Sequence, residues 1–181
     1  MAWTAPMTAV ANDVFTAAQF NTHVRDNLLE TAPAKATGAA SVFVSTGPNA
    51  IAERFPTAET QATSGTTTST SYTTTLSGGT TCDAAVNTGT QAIVMIRGGL
   101  ANSGASNTTF LAYDISGAST IAASDARSAS IVNVGTANGN TVSGIFYQTG
   151  LTAGLNTFTL QHRVTGGTGT YINREIVVFP L

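Results

Sequence analysis

The sequence predicts a mainly β protein, an N-terminal anchoring helix followed by an antiparallel β-sandwich of jelly-roll type. Three observations predict it. The first thirty residues carry one clear helix, with a start signature near residue 16 followed by an apolar stripe at four-residue spacing. From Tyr72 onward, short β-prone runs alternate with glycine-bearing turns, the pattern of a sandwich or barrel. Hydrophobic residues make up 42% of the 181-residue chain, enough for a core, while charged residues make up only 9%.

The helix comes first. Thr16 and Gln19 have capping-box spacing, in which each side chain satisfies the other residue's free backbone N–H. Phe15 before the cap and Phe20 after it are placed to form a hydrophobic staple. Phe20, Val24 and Leu28 recur every fourth residue and line one face. Pro33 disfavours helical geometry in the residue before it, so the helix is expected over about residues 17 to 30. Isolated helices of this length are marginal in water, so the stripe must dock on something. Trp3, Val10, Val14 and Phe15 lack a local core as well. Residues 1 to 33 therefore read as an anchoring arm, and Trp3, Phe15, Phe20, Val24 and Leu28 as its partner-facing residues.

Residues 34 to 70 read as a connector. Short strands are expected at Ala39–Ser45 and Ala50–Phe55, and the Thr/Ser run from Thr57 to Ser71 reads as linker or extended lead-in. The sandwich is expected over residues 71 to 181, with strands at Ser71–Ser77, Thr80–Asn87, Gln91–Ala101, Thr108–Ile115, Ser128–Val134, Thr141–Thr149, Asn156–Val164 and Thr170–Pro180. Between them fall turn signals such as Gly78-Gly79, Ser116-Gly117 and Gly166-Gly167. Alternation is cleanest in Asn156–Val164, with Phe158, Leu160, His162 and Val164 on one face. The apolar final run is expected to pair between other strands.

Composition excludes several functions. The only lysine is Lys35 and six arginines are scattered, so phosphate neutralisation by a basic patch is not expected. No apolar run reaches the roughly 18 residues of a membrane-spanning helix, and the N-terminus lacks a signal-peptide pattern. The single cysteine, Cys82, rules out an intrachain disulfide and reads as a small apolar residue in or near a strand. A surface this poor in charge suits a chain covered by its own copies or by other subunits.

The search for chemistry yields no catalytic constellation. His23 reads as a partly exposed helix residue. His162 shares the apolar face of its strand, so it is expected in the core or at a trimer interface, with a partner for its ring. The five aspartates form no calcium-loop pattern, and Asp125 and Arg127 flank Ala126 as a surface ion pair. Gly166-Gly167-Thr168-Gly169 lies between two strands and reads as a hairpin turn, since a phosphate-binding loop opens a helix. No enzymatic activity, cofactor or metal is expected.

Trp3-Thr4-Ala5-Pro6 together with Val14-Phe15-Thr16-Ala17-Ala18-Gln19-Phe20-Asn21-Thr22-His23-Val24-Arg25-Asp26-Asn27-Leu28-Leu29 resembles the start of small structural proteins of tailed phages infecting actinobacteria. The likeness continues through Asn49-Ala50-Ile51-Ala52-Glu53-Arg54 and into the C-terminal half, which is also loosely similar to trimeric jelly rolls of the C1q and tumour-necrosis-factor type. Met7-Thr8-Ala9-Val10 departs from the family's Arg-Thr-Trp-Val. The resemblance implies a virion location and a homotrimer bound to other virion proteins through the N-terminal segment. It implies a minor tail or tail-fibre-like role in host attachment, with capsid decoration as the alternative. Asn- and Ser-rich turns at Asn102–Asn107 and Thr136–Asn140 suggest contact with a host-surface glycan.

Overall fold

A computed structural model describes every residue except 1–3, 6, 9, 49 and 134–138, and for residues 32 and 33 it describes the backbone alone. The chain divides into two compact units, Met1–Phe55 and Pro56–Leu181.

In the first unit the helix begins where the sequence places it. Thr16 is extended and caps Ala17–Phe20 with both halves of the box formed. The turn that follows, Asn21–Arg25, is π-helical, with the Asp26 N–H reaching back to the Asn21 carbonyl. Asp26–Leu28 closes the helical run two residues earlier than expected. A π turn takes more residues than an α turn. Positions four apart therefore drift less around the axis, which keeps Phe20, Val24 and Leu28 in register. After a short helical turn at Ala32–Lys35, strands β1 (Val42–Gly47) and β2 (Ala50–Arg54) form an antiparallel hairpin. Both expected short strands are thus present.

The second unit is an antiparallel sandwich. One sheet has the order β5-β10-β7-β8, from Asp83–Thr88, Gly154–Val164, Thr108–Gly117 and Ser128–Val132. The other has the order β3-β11-β6-β9, from Thr57–Gln61, Gly169–Pro180, Ala92–Asn102 and Asn140–Gln148. The short β4 (Gly65–Thr67) extends that sheet against β11. Pairing is nested, with sequence-distant strands side by side, which is the jelly-roll arrangement. As expected, the final strand is interior, between β3 and β6.

Inward residues of both sheets share one core. Phe158, Leu160, Tyr113, Leu111, Ile96 and Ile176 belong to it and are all nearly or fully buried. The tyrosine rings in it reach polar partners, Tyr113 with Gln148 Oε1 at 3.2 Å and Tyr171 with the Arg163 carbonyl at 2.8 Å. Gly117 shows why a glycine is needed at one turn. Its φ is +103°, and a Cβ there would lie 2.5 Å from the Leu155 carbonyl oxygen.

Three expectations change. The sandwich starts at Thr57 rather than residue 71, because the backbone of the Thr-rich run pairs with β11 at both β3 and β4. Ser71–Ser77 forms no strand, only isolated bridges from Thr73 to His162 and from Ser77 to Thr66. Asp125 pairs with Arg163 on β10 rather than with Arg127, whose guanidinium turns to the Ala122 carbonyl.

Candidate functional site

The expected site is the arm, and the structure shows how its motif is used. The Thr16 N–H donates to Gln19 Oε1 at 2.8 Å and the Gln19 N–H to Thr16 Oγ1 at 3.2 Å. Phe15 and Phe20 meet edge to face with centroids 6.1 Å apart, which is the staple. Asn27, off the apolar stripe, is buried and clasps the arm. Its Oδ1 accepts from the Thr4 N–H at 2.8 Å, and its Nδ2 donates to the Thr4 and His23 carbonyls, each at 3.0 Å. His23 Nδ1 donates to the Ala5 carbonyl at 3.1 Å. The opening Thr4-Ala5 and the distant His23-Val24-Arg25-Asp26-Asn27 stretch therefore form one unit. The legible signal is an Asn inside a helix, a residue whose side chain readily bonds nearby backbone groups.

The clasp spends the polar side of the helix and leaves the apolar side bare. Phe15, Phe20, Val24 and Leu28 are 52, 47, 36 and 61% exposed, and Val10, Val14 and Leu29 are exposed beside them. Trp3 lies outside the described residues. Replacing Thr16 by alanine is expected to cost the arm helix about 1 kcal/mol. The Gln19 and Phe20 amides should then exchange about fivefold faster with deuterium, with the Leu160 amide unchanged. No change at Gln19 would mean that the cap does not hold the helix.

His162 is fully buried in the sandwich of the single chain. Its Nδ1 donates to the Thr73 carbonyl at 3.2 Å, which leaves Nε2 unprotonated and without a hydrogen-bond partner. Burial, with the Arg174 charge nearby, pushes its pKa down to about 3, so the ring is neutral. Tyr171 packs edge-on against it, centroids 4.6 Å apart. Cys82 is buried, and desolvation raises its thiol to about 11, far from thiolate reactivity.

Arg174 was not singled out from the sequence. A bulge between Ile172 and Glu175 sets two residues of β11 opposite Gly98, with Asn173 at φ 49°. The extra residue turns Arg174 inward, where it is fully buried and donates to the carbonyls of Thr80 at 2.8 Å and Thr63 at 3.4 Å. It ties two loop segments to the core.

On the outer surface, Asp125 joins Tyr72 and Arg163. The Tyr72 hydroxyl donates to Asp125 Oδ1 at 2.8 Å, and Arg163 binds both carboxylate oxygens while lying 3.9 Å over the Phe110 ring. The Arg163 contact holds the Asp125 carboxyl below its usual range. These groups satisfy one another. Asn102 is similarly committed. It is buried, donating to Thr109 Oγ1 and the Gly166 carbonyl and accepting from the Gly104 N–H. Within the Asn102–Asn107 turn this amide braces the loop. The Thr136–Asn140 turn falls largely outside the described residues.

Among the described residues, no three His, Cys, Asp or Glu side chains converge as a metal site, and no helix is long and apolar enough to cross a membrane. No family model and no curated protein matches the chain. Among solved structures it is similar to the Eiger TNF from S. frugiperda, with a TM-score of 0.47 and 10% identity, over 70% of this chain and 93% of that one.

Proposed function

We propose that this chain is a non-enzymatic structural protein of a phage particle, in the tail or baseplate. It docks by its N-terminal arm, assembles as a homotrimer and presents the β-sandwich toward the host surface. The exposed stripe of the arm carries the reading. Phe20, Val24 and Leu28 face solvent on a short helical run whose cap, staple and Asn27 clasp all hold it in shape. A helix this short is marginal by itself and gains stability when its apolar face packs on a partner, and an exposed apolar patch marks a docking surface. The motif forming the clasp is the one that resembles phage structural proteins. The low charge of the chain fits a surface covered in an assembly.

Gold-labelled antibody against residues 56–181, applied to intact particles, tests the assignment. Label at the tail tip or along fibres is expected. Label over the head would move the protein to capsid decoration, and absence from every particle would end the virion reading. Val24→Asp combined with Leu28→Asp is expected to reduce incorporation more than about tenfold, because burying each such side chain is worth about 1.5–3 kcal/mol and 1.4 kcal/mol is a factor of ten. Undiminished incorporation would take the stripe out of docking.

A further inference from the structure

The Thr/Ser-rich segment that begins at β4 ties one side of the sandwich together. Thr66 in β4 pairs with Thr170 of β11 and exchanges backbone hydrogen bonds with Ser77, at 3.0 and 2.8 Å. The Ser69 carbonyl accepts from the Val164 N–H, and Thr73 exchanges backbone bonds with His162, both partners lying on β10 in the other sheet. Leu76 enters the core from the same segment. Held to both sheets in this way, the segment and Thr168 of the β10–β11 turn enclose a recess of about 330 Å³. That is the low end of the roughly 300–1,000 Å³ of small-molecule sites, room for one ring-sized group.

Every residue lining the recess is threonine or serine, and none is charged. Some of these hydroxyls are engaged within the segment. Thr67 and Thr73 accept from the Ser69 and Thr75 N–H groups, each at 3.1 Å, and Ser69 donates to the Ser71 carbonyl at 2.6 Å. Among the described residues, the hydroxyls of Thr66, Thr68, Thr75, Ser77 and Thr168 have no partner in the chain. Thr66 and Thr168 are also half-buried.

That lining selects its ligand. A hydroxyl both donates and accepts, and covering it without a partner costs free energy. An apolar occupant would leave these hydroxyls stranded. An anion is held best by charged donors, and the recess has none. A neutral sugar carries hydroxyls that donate and accept, with C–H edges that fit against the threonine methyl groups. We propose that the recess holds one neutral sugar unit of a surface glycan. This deepens the host-surface reading above, on which the source of the glycan rests.

Amide NMR of the full chain tests it, by titration with the methyl glycosides of glucose, galactose, mannose and arabinose, and with glucuronate as the charged comparison. At least one neutral glycoside is expected to shift the Thr66 and Thr168 amides saturably, with a millimolar Kd, and glucuronate is not. Thr66→Val combined with Thr168→Val keeps the shape of the walls and removes two hydroxyls. It should raise Kd at least about tenfold, with the melting temperature showing an intact sandwich. Thr159→Val, on the outward face of β10, should bind as the wild type does. No saturable shift with any of these glycosides would overturn the sugar site and leave the virion assignment standing, to be decided by the labelled particles. Wild-type shifts confined to another part of the chain, or an unchanged Kd in the folded double variant, would overturn this recess as the site. An equal response to glucuronate would overturn the neutral-sugar chemistry. Because the wild-type shifts locate the site by themselves, the test does not depend on the double variant folding.

Discussion

Replacing Phe158 by alanine is expected to lower the melting temperature of the sandwich by about 10–20 °C. Phe158 lies on β10, which pairs with β5 on one side and β7 on the other, so its ring enters the middle of the core. It is fully buried, with the Tyr113 ring centroid 6.2 Å away. Phe-to-Ala changes in such places cost about 3–5 kcal/mol, because transfer energy is lost and the cavity closes only partly. Total stability of a domain is about 5–15 kcal/mol, so the loss is a large share. Thr159, one residue on, points outward between Asp83 and Asp114, and Thr159→Ala should cost under about 1 kcal/mol. Calorimetry on the full chain distinguishes them. Equal costs would mean that the inward and outward faces of β10 are misassigned.

Acidification is expected to remove stability from the sandwich between pH 6.5 and about 3, with His162 responsible. Its pKa is about 3 in the fold against an ordinary 6.5. In that window the unfolded chain binds a proton that the folded chain does not. Stability is therefore fully present above pH 6.5 and falls as pH falls, by up to about 1.4 kcal/mol per unit. Burial in the closed core opposes the proton most, the Arg174 charge adds to this, and the Thr73 carbonyl favours it. Between pH 7 and pH 4.5 the wild type should lose about 2–3 kcal/mol from this group. His162→Phe keeps a ring against Tyr171 and has nothing to titrate, so its loss over the same range should be smaller by that amount. Asp125, held low by Arg163, adds an acid-labile contribution at lower pH, common to both proteins. Equal acid slopes in the two proteins would remove His162 from this role.

Some of this architecture could be read from residue order because the physics involved is local. A cap, a staple and a four-residue stripe involve neighbours along the chain, and Thr16, Gln19, Phe15 and Phe20 meet as their spacing requires. Alternation in Asn156–Val164 places Phe158, Leu160, His162 and Val164 inside, and all four are buried. The glycine turns at Gly78, Gly117 and Gly167 have the positive φ that justifies glycine there.

What residue order left open depends on partners far along the chain. Thr57–Gln61 carries no apolar alternation, and it is a strand because β11 offers a free edge more than a hundred residues later. Ser71–Ser77 has strand-forming residues but finds only single bridges. Asp125 has an arginine two residues away and binds one on β10 instead, because the strand fixes where that guanidinium lies. The bulge that buries Arg174 exists only in the mismatch between β11 and β6. By itself the sequence determined the helix start, the core face of β10, the turns and the scarcity of charge. Only the tertiary structure decided which Thr-rich segments pair and which arginine enters the core. Local backbone and side-chain preferences are set by near neighbours, whereas pairing and burial depend on what the rest of the chain brings alongside.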